Sequence, residues 1–336
     1  MKSIIISIIM FLFLILIHEF GHFIVAKKSG IKVNEFAIGM GPKIFSKQKG
    51  ETLYSINLLP IGGYCAMEGE DDTSDDERSF DKAPAYKRFL TILAGPLINL
   101  IFAAFIFTFV VFNTGIASNS IGGFTENSPA KESLEINDEI IGIAGIKVNE
   151  FSDISEILTT YYKTNSKDKE VSVRVKRNGD IIEKKINPKF ENDMPLLGIT
   201  PKPRDVSLIE AIGLGIKQVF QMIGMLFSIL KNLFTGKLSF NALSGPVGVV
   251  KEMGRQVNLG LMNILFFLAY ISVNLGFFNL LPIPALDGSK LFTSLYEMIT
   301  KKKINKKLEE RVTIVGFVLL LSLILIVTIK DIINLF

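Results

Sequence analysis

Two imidazoles and a carboxylate interrupt a stretch otherwise built for lipid, Ile15-Leu16-Ile17-His18-Glu19-Phe20-Gly21-His22-Phe23. On a helix, H-E-x-x-H spacing puts His18 and His22 one turn apart on the same face as two neutral nitrogen ligands for zinc, with Glu19 beside them as a general base. An ionisable side chain in a membrane-spanning helix costs about 2.5–3.5 kcal/mol by insertion scales, so such residues mark functional sites. The chain of 336 residues holds two histidines, and both are in this pentad.

A catalytic zinc keeps three protein ligands and one water, so the third ligand must come from elsewhere in the chain. With no further histidine, the candidates are Cys65, the single cysteine, and a carboxylate at the right depth. Asp287 is the one acid between Glu252 and Glu297, in Asn279-Leu280-Leu281-Pro282-Ile283-Pro284-Ala285-Leu286-Asp287-Gly288. Its two prolines withhold backbone donors, and non-helical backbone at membrane depth must line a protein cavity. Asp287 is therefore the expected third ligand. Cys65 stands as the alternative, because thiolates bind zinc well.

The elements that must carry these groups are apolar runs of membrane-spanning length. Ile4 to Ala26, Phe89 to Phe112 and Leu261 to Leu281 each reach the roughly 20 residues that cross a hydrocarbon core, and Val312 to Ile329 closes the set. Leu208 to Phe234 is also apolar, but Glu210, Lys217, Gln221, Ser228 and Asn232 form one polar stripe, which predicts a helix lying in the interface plane. Four transmembrane helices are expected. Lys27, Lys28 and Lys32, and the connection Lys301 to Lys307, belong on the cytoplasmic side by the positive-inside rule. At the helical rise, His22 lies about 7 Å and His18 about 14 Å from Lys27, which puts the site below the cytoplasmic surface. A cleaved leader is not expected, since no small-residue cleavage site precedes Lys27. The net charge of +4 is spread along the chain, a pattern that suits lipid headgroups and topology and leaves no nucleic-acid module in view.

Four regions follow. Residues 1–112 hold transmembrane helices 1 and 2 with an intervening β-hairpin, whose strands Lys32 to Ile38 and Glu51 to Leu58 are separated by Gly39, Gly41, Pro42 and Gly50. Residues 113–203 are polar and strand-rich, with a hairpin turn at Arg177-Asn178-Gly179-Asp180, and form an extracytoplasmic domain. Residues 204–260 hold the interfacial helix and a linker, and residues 261–336 hold transmembrane helices 3 and 4 with the Asp287 loop. Glu68 to Asp81, with eight acids, reads as a solvated loop, since its spacing matches no EF-hand. In the second span, Ala94-Gly95-Pro96 permits close helix packing and Asn99 offers an interhelical hydrogen bond.

On His18-Glu19-Phe20-Gly21-His22 and Leu286-Asp287-Gly288, the chain resembles the site-2 proteases, bacterial intramembrane zinc metalloproteases, in a form with a single PDZ domain. Gly39-Met40-Gly41-Pro42, Leu59-Pro60-Ile61-Gly62-Gly63-Tyr64 and Ser244-Gly245-Pro246-Val247-Gly248 match further family segments. The resemblance implies an α-helical polytopic membrane protein with a membrane-associated β-hairpin and an inserted α+β PDZ-like domain. In that domain, Gly123 to Ala130 takes the place of the carboxylate-binding loop, and Leu134 to Ile141 carries Asn137 where glycine is usual. Ser289-Lys290 replaces the Gly-His of many relatives.

The implied activity is hydrolysis of peptide bonds in or near the transmembrane segments of single-pass membrane proteins, with anti-sigma factors and signal-peptide remnants as known substrate types. Zn2+ held by His18, His22 and Asp287 would acidify a water whose proton Glu19 takes and passes to the departing amine. Asn279 could hold freed substrate backbone, and the PDZ-like domain would inspect the substrate outside the cell. A metal transporter would show inverted repeats and ligands spread over several broken helices, which the sequence lacks.

Overall fold

A computed structural model describes residues 2–70, 73–239 and 244–333. The chain divides into two compact units, one of residues 1–110 and 212–336 and one of residues 111–211. Five described helices are long and apolar enough to cross a membrane: α1 (Lys2–Ser29), α2 (Ala85–Thr114), α4 (Leu208–Phe234), α6 (Leu261–Leu280) and α8 (Lys306–Ile333). That is one candidate more than the four spans expected, the addition being α4. Its polar stripe predicts an interfacial helix, and two of the stripe's five residues make local contacts. Glu210 pairs with Arg204 at 2.6 Å, and Ser228 Oγ donates to the carbonyl of Gly224 at 3.0 Å. What remains is an apolar ridge of Val219, Met222 and Leu226, buried against Ala103, Phe107 and Val110 of α2 and Ala269, Val273 and Phe277 of α6.

Small residues let α1, α2 and α6 approach closely, as membrane helix interfaces require. A Cβ on Gly21 would stand 2.4 Å from the carbonyl oxygen of Ala94, and one on Gly276 would stand 2.8 Å from that of Pro96. Pro96 sits inside α2 without ending it. Helix α5 (Pro246–Leu259) packs Met253 against Met10 and Leu14 of α1 and Leu268 of α6. Asp331 on α8 accepts from the backbone N–H groups of Gly245 and Gly248, both at 2.8 Å, and so caps the start of α5.

Between α1 and α2, β1 (Val33–Lys49) and β2 (Thr52–Met67) run longer than the two short strands expected. Gly39, Gly41 and Gly62 adopt positive φ as turn residues do, yet pairing continues past them. Glu35, Phe36, Ala37 and Ile38 each pair twice, with Ala66 to Gly63 on one side and with Leu53 to Ile56 on the other. The first half of β1 is thus flanked by two segments of β2, and Gly63–Met67 is an outer segment.

The acidic stretch is fastened rather than loose. Glu68 accepts from Asn34 at 2.7 Å, Lys32 meets Asp76 at 2.9 Å, and Glu70 meets Lys290 of α7 (Asp287–Thr300) at 2.9 Å. Asp71 and Asp72 lie outside the described residues. At the far end of α7, Glu297 pairs with Arg88 of α2, with both side chains mostly buried.

The second unit is a sheet in the order β10-β3-β4-β6-β7 with β5 (Ile146–Lys147) beside β4, a two-stranded pair of β8 (Lys189–Glu191) and β9 (Met194–Leu196), and helix α3 (Phe151–Thr164). Strand β3 is Ile116–Phe124, β4 Glu139–Ile143, β6 Val171–Arg177, β7 Asp180–Ile186 and β10 Ile199–Arg204. Alternating Val171, Val173 and Val175 join Ile121, Ile140, Ile143 and Leu158 in its core. Asn178 and Gly179 both take positive φ between β6 and β7, the turn their sequence predicts. Asn137 takes φ 73°, a conformation free to glycine and tolerated by asparagine.

Asp138 is 1% exposed, and its carboxylate accepts from Nε and Nη2 of Arg177 at 2.7 and 2.6 Å and from the N–H of Glu135 at 2.8 Å. Burial pushes this carboxyl up, but the Arg177 fork and the backbone donor outweigh it and hold it below the usual range. A depressed carboxyl contributes stability that is present above its unfolded value of about 3.9 and lost as pH falls through the lower folded value. Arg177→Met should leave the carboxylate buried and unpaired at a cost of about 3 kcal/mol. Faster amide exchange across β4 and β6 at neutral pH, converging with wild type in acid, is the expected result. Equal protection at neutral pH would show the pair to be dispensable.

Candidate metal centre

Helix α1 continues unbroken through His18, Glu19 and His22, because its flanks are apolar residues that a membrane helix accommodates. Both histidines are buried, at 6 and 5% exposure. The third group arrives from the other end of the chain. Helix α6 ends at Leu280 ahead of Pro282, and a tight loop with Ala285 at φ 74° delivers Asp287 as the first residue of α7. Gly288 permits this: a Cβ there would stand 1.8 Å from the carbonyl oxygen of Leu281.

Three atoms converge. His18 Nε2 lies 2.8 Å and His22 Nε2 3.2 Å from Asp287 Oδ2, and the two Nε2 atoms are 3.2 Å apart. Donors placed tetrahedrally at zinc distances of about 2.0–2.1 Å would be about 3.3 Å from one another. Two imidazoles and one carboxylate also make up a common catalytic zinc donor set, so the residues present fit the ion in kind and in spacing.

The imidazoles are oriented from α2. His22 Nδ1 donates to the carbonyl oxygen of Thr91 at 2.9 Å, which leaves Nε2 as the lone-pair nitrogen. Gly95 lies flat against the His22 ring, and the Asn99 amide meets His18 Nδ1 at 3.1 Å. Sequence reasoning found Asn99 as an interhelical hydrogen-bonding residue but missed Thr91, whose contribution is a backbone carbonyl that no side-chain pattern announces. Glu19 accepts from the backbone N–H of Cys65 on β2 at 3.0 Å.

Cys65 stands outside the convergent trio. Burial pushes its thiol up, and the Glu19 carboxylate adds to the effect, so the thiolate a metal would need is disfavoured. Asn279 is buried near the end of α6, where its Nδ2 donates to the carbonyl of Leu275 at 3.0 Å.

An intramembrane trio of two histidines and an aspartate, on a bundle of apolar helices, defines a zinc metalloprotease built into the membrane. The chain belongs to peptidase family M50, the site-2 protease type, whose pattern matches residues 6–323. Among similar proteins, one of Clostridium acetobutylicum named as a zinc metalloprotease is 41% identical over 98% of this chain and 97% of its own length. Others so named, from Clostridium perfringens and Fusobacterium nucleatum, are 40 and 36% identical over 98% of both chains.

Proposed function

We propose that this zinc metalloprotease cuts single-pass membrane proteins in or near their transmembrane segments, with His18, His22 and Asp287 holding the metal and Glu19 as proton carrier. The observation that carries the reading is the convergence of three donor atoms, two from within the apolar helix α1 and one from just beyond the apolar helix α6. When bound, zinc supplies an acidified water and a Lewis-acid contact for the scissile carbonyl. Glu19 accepts the nucleophile's proton and delivers it to the departing amine. The Cys65 N–H fixes one carboxylate oxygen while this happens.

A helical substrate must first unwind, since its carbonyls are already hydrogen-bonded. The Gly63–Met67 segment, one of whose N–H groups already reaches Glu19, supports strand addition of the extended substrate beside the site. Exposed Met40, Ile44, Phe45, Leu58 and Leu59 on the same sheet support its association with lipid as a membrane-embedded hairpin. Asn279, at the mouth of the ligand loop, would then hold substrate backbone.

Lys27 and Lys28 in the last turn of α1, with Lys301 to Lys307, support a site opening towards the cytoplasm of the cell membrane and an extracytoplasmic second unit. That unit holds a cleft of about 460 Å³ lined by Asn127, Phe151, Ile154, Leu158 and Leu197. The cleft supports a PDZ-like role, in which the outer portion of the substrate is inspected before entry.

Zinc analysis and cleavage of a transmembrane peptide test the assignment together. Wild type and Cys65→Ser should each retain one zinc and cut the peptide, whereas Asp287→Asn should lose both metal and activity. Full zinc in Asp287→Asn with loss in Cys65→Ser would show the ligand set to be wrong.

A further inference from the structure

Asn99 is fully buried on α2, yet its side-chain oxygen has no hydrogen-bond partner. As placed, its Nδ2 faces His18 Nδ1 at 3.1 Å. An amide that donates to Nδ1 requires the imidazole proton on Nε2, the atom 2.8 Å from Asp287 Oδ2. That arrangement suits the metal-free trio, in which Nε2–H donates to the carboxylate. It is incompatible with ligation, because a nitrogen that carries a proton offers no lone pair.

We infer that Asn99 positions His18 for zinc by turning its amide, so that Oδ1 accepts the Nδ1–H of the metal-bound tautomer. Amide oxygen and nitrogen have nearly the same shape, so the turn needs no extra room. The arrangement at His22 is the counterpart, with Nδ1–H already on the Thr91 carbonyl. Thr91, Gly95 and Asn99 recur every four residues, so one stripe of α2 addresses both rings on α1. The backbone is held as well, since Ser272 Oγ of α6 donates to the Asn99 carbonyl at 2.8 Å. An amide, unlike a carboxylate, serves both tautomers of His18, with and without metal. This inference rests on the zinc-ligand reading above.

Zinc affinity by chelator competition on the full-length protein in detergent is the test, with Asn99→Leu and Asn99→Asp against wild type. Asn99→Leu removes the acceptor at similar size and should weaken zinc about 10- to 100-fold, in protein whose helix content and monodispersity match wild type. Asn99→Asp keeps an acceptor and should restore wild-type affinity or better. Equal affinity in Asn99→Leu, or Asn99→Asp as weak as Asn99→Leu, would overturn the inference. Absence of zinc from wild type would instead sink the ligand assignment itself.

A second measurement needs no fold-sensitive carboxylate. With two histidines in the chain, 15N-histidine labelling of the zinc-loaded protein reports each Nδ1–H separately. Replacement of Asn99 by Leu should move the His18 Nδ1–H resonance and speed its exchange with solvent, leaving that of His22 in place. An unmoved His18 resonance would refute the contact.

Discussion

Glutamine in place of Glu19 is expected to cut kcat about 1,000-fold while the protein keeps its full complement of zinc. General-base contributions run at about 10²–10⁴-fold. The substitution isolates that role because glutamine has the same shape and keeps an oxygen to accept the Cys65 N–H, the contact that anchors Glu19 to β2 at 3.0 Å. The three ligand atoms belong to other residues, so metal content should not move. Cleavage of a transmembrane peptide, read beside metal analysis on the same preparation, checks both halves. Unimpaired cleavage by Glu19→Gln would falsify the proton-carrier role. Loss of zinc along with activity would show instead that Glu19 acts on the metal site itself.

The second large effect comes from a methyl group. Gly95→Ala places a Cβ 2.2 Å from Nε2 of His22, the ligand atom, and 2.5 Å from Cε1. The ring has nowhere to go: it is buried, and its Nδ1 is held by Thr91 one turn earlier on the same helix. Nor can α1 withdraw cheaply as a body, because Gly21 is already pressed against the Ala94 carbonyl and the two helices share that close seam. Overpacking typically costs about 1–3 kcal/mol. Borne by a ligand, it should weaken zinc about 10- to 100-fold at about 1.4 kcal/mol per decade, with activity falling alongside. Gly224→Ala on α4 is the control, since a Cβ there meets nothing within 4 Å. It should leave zinc and cleavage unchanged. Equal zinc affinity in both variants would show that the α1–α2 seam opens more readily than its geometry suggests.

The cluster of His18, His22 and Asp287 was legible in the sequence because chemistry in a membrane is costly and therefore rare. Two histidines in one pentad, and one acid beside two prolines, stand out against apolar surroundings. The Asn178-Gly179 turn was legible for a similar reason, since few residues accept positive φ. Other features rest on partners distant in sequence. Lys290 reads as a bare departure from a family pattern until Glu70, 220 residues earlier, lies against it. Thr91 acts through its backbone. Helix α4 carries its polar stripe beside an apolar ridge packed on α2 and α6, so its sequence suits an interfacial helix and a span alike. The glycines of β1 and β2 misled because a positive φ can bend a paired strand as well as end it.

The wide separation of the ligands has a consequence for biogenesis. Until α6 and the loop beyond it have been inserted, the growing chain owns two imidazoles but no carboxylate to complete them. Thr91 and Asn99 come early and can orient the rings, but the cluster lacks its carboxylate until Asp287 is made. The candidate centre can therefore be completed only after nearly the whole chain, the second unit included, has been made.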